Sequence, residues 1–144
     1  MDLTTSYPRS VREKHLGMVQ VARTIDKGKA SLAGKLGEYK YDCPMDQHLF
    51  EFLGIQGEQL LDAIKKGDKA ADDFLQAAIA KKNPAEIEKF NNEWLEHGPA
   101  KGSDSEKYFL DLRNQVAPDR TDVTAWADLL DLDEKRQVPH RARV

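Results

Sequence analysis

The chain has 144 residues, 40% of them hydrophobic and 33% charged, which is enough for a real core and suits a soluble helical protein. Its net charge of −3 argues against general nucleic-acid binding, and its single cysteine, Cys43, excludes an intrachain disulfide. No apolar run approaches the roughly 20 residues of a spanning helix. Met1-Asp2-Leu3-Thr4-Thr5-Ser6 lacks the basic-then-apolar order of a secretory signal, so a cytoplasmic protein is expected.

Capping signals punctuate the chain. Ser10-Val11-Arg12-Glu13 reads as a capping box that opens a long helix over 11–36. Gly37 to Cys43 is the one stretch with extended character, because Tyr39 and Tyr41 alternate with polar residues. Pro44 opens a short helix that Gly54 closes. Leu60, Leu61 and Ile64 mark a third, stopped at Gly67. Asp68 caps a fourth, with Ala71, Phe74, Leu75 and Ala78 on one face. Asn83-Pro84-Ala85-Glu86 opens a fifth, with Ile87, Phe90 and Trp94 inward and Gly98 at its end. Ser103-Asp104-Ser105-Glu106 opens a sixth, with Phe109, Leu112 and Val116 inward. Val123, Trp126 and Leu130 suggest a last short helix.

These elements predict a compact all-α single domain of six or seven helices over residues 1–134. A basic, flexible tail over 135–144 follows, carrying Lys135, Arg136, Arg141 and Arg143 without an acid.

The stretch Arg23-Thr24-Ile25-Asp26-Lys27 stands out within the first predicted helix. On a helical projection Val11, Met18, Ala22, Ile25, Leu32, Ala33 and Leu36 share one face, while Glu13, Gln20, Thr24, Ser31 and Lys35 cover the other. His15, Asp26 and Lys29 fall inside or at the edge of the apolar sector. Arg23 flanks it, and Lys27 turns toward solvent. A carboxylate on an apolar stripe is costly unless paired, and Asp26 is within helical reach of both Arg23 and Lys29. Two readings stand. Asp26 is a structural ion pair, or it lines a site in which it acts as a base, Arg23 or Lys29 holds an anionic substrate, and a tyrosine donates a proton.

A second constellation is Tyr39-Lys40-Tyr41-Asp42-Cys43-Pro44-Met45-Asp46. With Pro44 at the first helical position, Cys43 is the N-cap and faces the positive helix end, the setting of reactive cysteines. The competing reading is a small buried residue. The candidate set is therefore Asp26, Cys43 and Tyr41 for catalysis, and Arg23, Lys29 and Tyr39 for substrate binding. Asp46, His48 and Glu51 carry ligand atoms, but no second copy completes a bundle metal site, so no metal is expected. Gly34-Lys35-Leu36-Gly37 follows a helix and is no phosphate loop, and neither GxGxxG nor GxSxG occurs. No cofactor is expected either.

Ser6-Tyr7-Pro8-Arg9-Ser10, Ala22-Arg23-Thr24-Ile25-Asp26-Lys27, Tyr41-Asp42-Cys43-Pro44 and Leu49-Phe50-Glu51-Phe52-Leu53-Gly54-Ile55 resemble a bacterial family catalogued as domain of unknown function 5069. The resemblance runs from residue 2 to about 133 and implies a small stand-alone protein, with no activity or site residues to carry over. The residues themselves favour a small-molecule-binding protein or a cofactor-independent acid–base enzyme with a polar pocket around Asp26. The alternative is a non-catalytic helical interaction module, possible as a homodimer. Nucleic-acid binding through the tail is a third and less favoured reading.

Overall fold

The computed structural model describes residues 1–140. Among these are seven α-helices and no strand: α1 Val21–Leu32, α2 Pro44–Leu53, α3 Gly57–Lys66, α4 Asp68–Ile79, α5 Pro84–Glu96, α6 Asp104–Val116 and α7 Trp126–Asp133. The all-α expectation holds. The described residues form two compact units, one over Met1–Glu88 and one from Lys89 onward.

In the first unit α3 packs against α1, α2 and α4. Every residue from Val21 to Gly28 is buried, whatever face of α1 it occupies. A helix enclosed on all sides must satisfy its polar groups internally, and α1 carries four in sequence or nearly so: Arg23, Thr24, Asp26 and Lys27. Gly28 allows the close approach of α3, since a Cβ there would lie 2.6 Å from the Ile64 Cδ1 atom.

The first helix differs from the expectation. It starts at Val21 and not at 11, because the chain reverses at His15-Leu16-Gly17-Met18. Leu16 and Gly17 adopt φ of 55° and 81°, and the His15 and Met18 backbones exchange hydrogen bonds of 3.0 and 3.2 Å. Two consecutive left-handed residues make a tight hairpin turn, which no helix accommodates. The Ser10 hydroxyl accepts from the Arg12 N–H at 3.1 Å, so it closes a turn where a helix cap was expected. The far end of α1 also comes early. Gly34, at φ 67°, lets the Lys35 N–H reach the Ala30 carbonyl at 2.8 Å and the Gly34 N–H reach Ser31 at 3.1 Å. This is a Schellman stop. The stretch 37–43 is non-helical, as expected, but it runs through turns at 37–38 and 41–42.

In the second unit α6 packs on α7. Ser103 caps α6 as its sequence suggests, its hydroxyl accepting from the Glu106 N–H at 3.1 Å. Phe109, Val123 and Leu129 form the core, with Leu112, Trp126 and Leu132 against it. Phe109 meets Trp126 edge-on at 5.0 Å. Arg120 grips the chain near its end: it forks onto Asp122 and donates to the Val138 carbonyl at 2.9 Å and to that of Pro139 at 3.2 Å. Of the basic residues expected in a tail, Arg136 donates to Glu134, while Arg141 and Arg143 lie outside the described residues.

Gly98 gives the second unit a sharp test. A Cβ there would stand 2.2 Å from the Thr124 carbonyl oxygen, a backbone atom that cannot rotate away. The Trp126 N–H bond to the His97 carbonyl, at 2.9 Å, fixes the same approach. Gly98→Ala is expected to cost about 2 kcal/mol, read by urea unfolding. An unchanged midpoint would show that the approach is slack.

Candidate functional site

The predicted site residues separate into groups. Asp26, only 2% exposed, is held by Arg9 and not by Arg23 or Lys29, its expected helical neighbours. One carboxylate oxygen accepts from the Arg9 backbone N–H at 2.8 Å and its Nε at 3.1 Å, and the other from a guanidinium nitrogen at 3.0 Å. The Asp26 bond in turn holds the Arg9 guanidinium above its ordinary pKa. Arg23 donates to the Arg9 carbonyl at 3.2 Å and lies over the Tyr39 ring at 5.6 Å. Asp26, Arg23 and Tyr39 thus gather around the backbone of the N-terminal segment. Lys29 points elsewhere and pairs with Asp68 at 2.8 Å.

Cys43 belongs to a second network, centred on Asp46. Pro44 starts α2 and puts Asp46 at the third helical position, where its carboxylate faces the free N–H groups of the helix start. It accepts from the Asp42 N–H at 3.0 Å and the Cys43 N–H at 3.4 Å. The Thr24 hydroxyl at 2.7 Å and the Gln20 amide at 3.2 Å donate to its other oxygen. Lys27 reaches it at 2.7 Å. The Lys27 ammonium, on a residue 4% exposed, also donates to the Lys40 carbonyl at 3.1 Å and to the Cys43 Sγ at 3.2 Å. Cys43 is half-buried.

Lys27 therefore does not face solvent, and Gln20 and Thr24 do not cover a solvent face. A projection assumes one wet side, and α1 has none between Val21 and Gly28. Arg9, Lys27 and Asp46 are the ionic members that sequence reasoning missed or placed outside. One signal was present: an acid two residues beyond Pro44 at a helix start marks a carboxylate that collects backbone donors.

Tyr41 is engaged as well. Its hydroxyl donates to the Gly57 carbonyl at 2.7 Å, and its ring sits 6.0 Å from that of Phe50. Burial, then the nearby Asp46 and Asp42 charges, pushes its pKa well above the usual phenol range. The raised folded pKa means that Tyr41 stabilises the fold below about pH 10, its ordinary pKa, and that this contribution is lost as pH rises above it. Wild type is expected to lose stability faster than Tyr41→Phe above about pH 10, by up to about 1.4 kcal/mol per pH unit. Urea unfolding of both proteins across that range checks this; parallel curves would remove Tyr41 as the cause.

An open concavity of about 480 Å³ lies beside the second network, lined by Asp42, Phe50, Glu51, Ile55 and Gly57 among others. Asp42 joins it to Cys43 along the chain. Among the described residues no cluster of three or more His, Cys, Asp or Glu side chains is placed to hold a metal. Among the described residues no helix is long and apolar enough to cross a membrane.

The second network has the parts of a reactive centre. A thiol sits at a helix start, a buried ammonium touches it, and a carboxylate orients that ammonium. The Cys43 thiol itself donates to Asp46 at 3.4 Å, and its sulfur is the atom that can meet an electrophile. In the first network Arg9 takes three acceptor positions of Asp26, which is 2% exposed. No curated protein matches the chain. Residues 5–136 match the family described as "Domain of unknown function (DUF5069)", and the chain belongs to that family.

Proposed function

We propose that the protein is a small-molecule-binding protein or a cofactor-independent enzyme acting on a small polar or anionic substrate, with Cys43 at its centre. In this reading Cys43 contacts the substrate, Lys27 supplies the positive charge and Asp46 positions Lys27. Asp26, Arg23 and Tyr39 support the site by fixing the N-terminal segment. Tyr41 holds Gly57 in the adjoining concavity, and Lys29, paired with Asp68, takes no part. The observation that carries this is the Lys27 ammonium, 3.2 Å from the Cys43 sulfur and 2.7 Å from the Asp46 carboxylate. The three donors of that ammonium go to Asp46, the Lys40 carbonyl and the Cys43 sulfur, so the sulfur is the half-buried atom through which a ligand would meet its charge. A bacterial, cytoplasmic setting is part of the same proposal.

Two measurements test it. Iodoacetate should alkylate Cys43 faster than iodoacetamide does, reversing the order found for a free thiol, because Lys27 attracts the carboxylate. Small carboxylic acids should raise the melting temperature of wild type and not of Cys43→Ala. An ordinary alkylation order, with no acid shifting the wild-type transition, would sink the reading.

The interaction-module alternative draws on α6, where Tyr108 is 63% exposed and Leu110 and Val116 are also open. It predicts a homodimer by light scattering that Tyr108→Ser dissociates; a concentration-independent monomer would remove it.

A further inference from the structure

The contact between Cys43 and Lys27 has a consequence that no ligand is needed to reveal. The sulfur and the amine nitrogen stand 3.2 Å apart, yet the residues are sixteen positions apart in sequence, on the N-terminal cap of α2 and in the middle of α1. Lys27 is almost wholly buried and is held in place by Asp46 and the Lys40 carbonyl. Its amine therefore cannot swing away into water when the sulfur changes chemistry. Cys43 is half-buried, so a small oxidant can reach it.

We propose that Cys43 and Lys27 form a covalent sulfur–nitrogen cross-link when the protein meets a hydroperoxide. The sulfur first attacks a peroxide oxygen. An S–O bond forms, the O–O bond breaks, the sulfur is oxidised by two electrons, and the other peroxide oxygen leaves with the thiol proton, as water from hydrogen peroxide or as an alcohol from an organic hydroperoxide. The product is a sulfenic acid, which condenses with a neighbouring nitrogen where one is in reach. Here that nitrogen is Lys27 Nζ. The ammonium passes one proton to the Asp46 carboxylate, 2.7 Å away. The freed lone pair attacks sulfur, the S–O bond breaks, and the departing hydroxyl takes a second proton from nitrogen and leaves as water. The residue pair has then lost two hydrogens. Two equivalents of an external thiol reverse the link, restoring Cys43 and Lys27 and leaving a disulfide of the reductant.

The cross-link would close the segment from α1 to α2, so the oxidised protein should melt higher than the reduced one. It would also spare Cys43 from irreversible oxidation, because the sulfenic acid is captured before a second peroxide arrives. The site is the one proposed above, but the inference does not depend on a substrate: failure of the ligand screen leaves it standing, and failure of the cross-link leaves the ligand screen standing.

The experiment is mass spectrometry of the full chain treated with a few equivalents of hydrogen peroxide. The expected product is lighter than the reduced protein by two hydrogens. Trypsin no longer cuts it after Lys27, it yields one linked peptide holding Lys27 and Cys43, and dithiothreitol reverts it. Sulfinic or sulfonic acid at Cys43 with Lys27 unmodified would overturn the proposal, and so would a linked pair that retains a peroxide oxygen. Lys27→Arg keeps a cation against Asp46 and should run on to the sulfinic acid several-fold faster than wild type. If that variant does not fold, the linked wild-type peptide and its reversal decide the matter alone.

Discussion

Asp46→Ala is expected to lower the stability of the fold by about 3–5 kcal/mol, the cost of leaving a buried charge without its partner. The carboxylate is fully buried and gathers donors from three parts of the chain. Gln20 and Thr24 come from the start of α1, Lys27 from its middle, and the Asp42 and Cys43 N–H groups from the approach to α2. Truncation removes the acceptor they share, most expensively for the Lys27 ammonium, which keeps only the Lys40 carbonyl and the Cys43 sulfur. The melting temperature should fall by on the order of 10 °C. The comparison that isolates the charge is a double replacement. Lys27→Met alone strands Asp46, and Asp46→Leu alone strands Lys27, while the two together strand neither charge and should recover much of the loss. Urea unfolding of the four proteins gives the coupling. If the double variant is as unstable as the sum of the singles, the network is not held by the ion pair.

That network shows what the sequence made legible. The helices from α2 onward follow from local chemistry: Pro44 and Gly54 bracket α2, Asn83-Pro84 opens α5, and Ser103 opens α6 with the hydroxyl bond its position suggests. Each boundary is decided within four or five residues. The failure at 11–20 has the same local character. Ser10 and Glu13 imitate a capping box, while Leu16-Gly17 imposes a left-handed turn whose strength depends on Met18 and Val19 being buried. Burial is a tertiary fact, and a pattern of polar and apolar residues reports it only when a helix has a wet side. Having no such side between Val21 and Gly28, α1 hid the orientation of Lys27 and Thr24. Asp26 was legible as a carboxylate needing a partner. Its partner Arg9 was not, because seventeen residues and a reversed turn lie between them. Cys43 was legible as an N-cap. Its contact with Lys27 was not, for the same reason.

The Arg9–Asp26 fork gives the second large effect, and an asymmetric one. Arg9→Ala should cost about 3–5 kcal/mol, whereas Asp26→Ala should cost only about 2–3 kcal/mol, although both break the same fork. Without Arg9 the Asp26 side chain, 3% exposed, stays enclosed with only the residue-9 N–H as a donor; without Asp26 the Arg9 side chain, 37% exposed, can turn its guanidinium to water. What Asp26→Ala does lose is the anchor of the N-terminal segment, since the Arg9 N–H is left without its acceptor. Trypsin should then cut after Arg12 and Lys14, both exposed, well before the rest of the chain unfolds. Asp26→Asn, which keeps an acceptor for that N–H, should resist cutting better. The order Arg9→Ala, Asp26→Ala, Asp26→Asn in falling cost is what a structural clamp requires. If Asp26 served as a base awaiting a substrate, its removal would leave stability and proteolysis near wild type and abolish ligand-induced thermal shifts. The same three proteins, read by urea unfolding, limited proteolysis and the acid screen, therefore separate a clamp at Asp26 from a working group, and assign the chemistry to the Cys43 side of α1 only if the clamp pattern is the one observed.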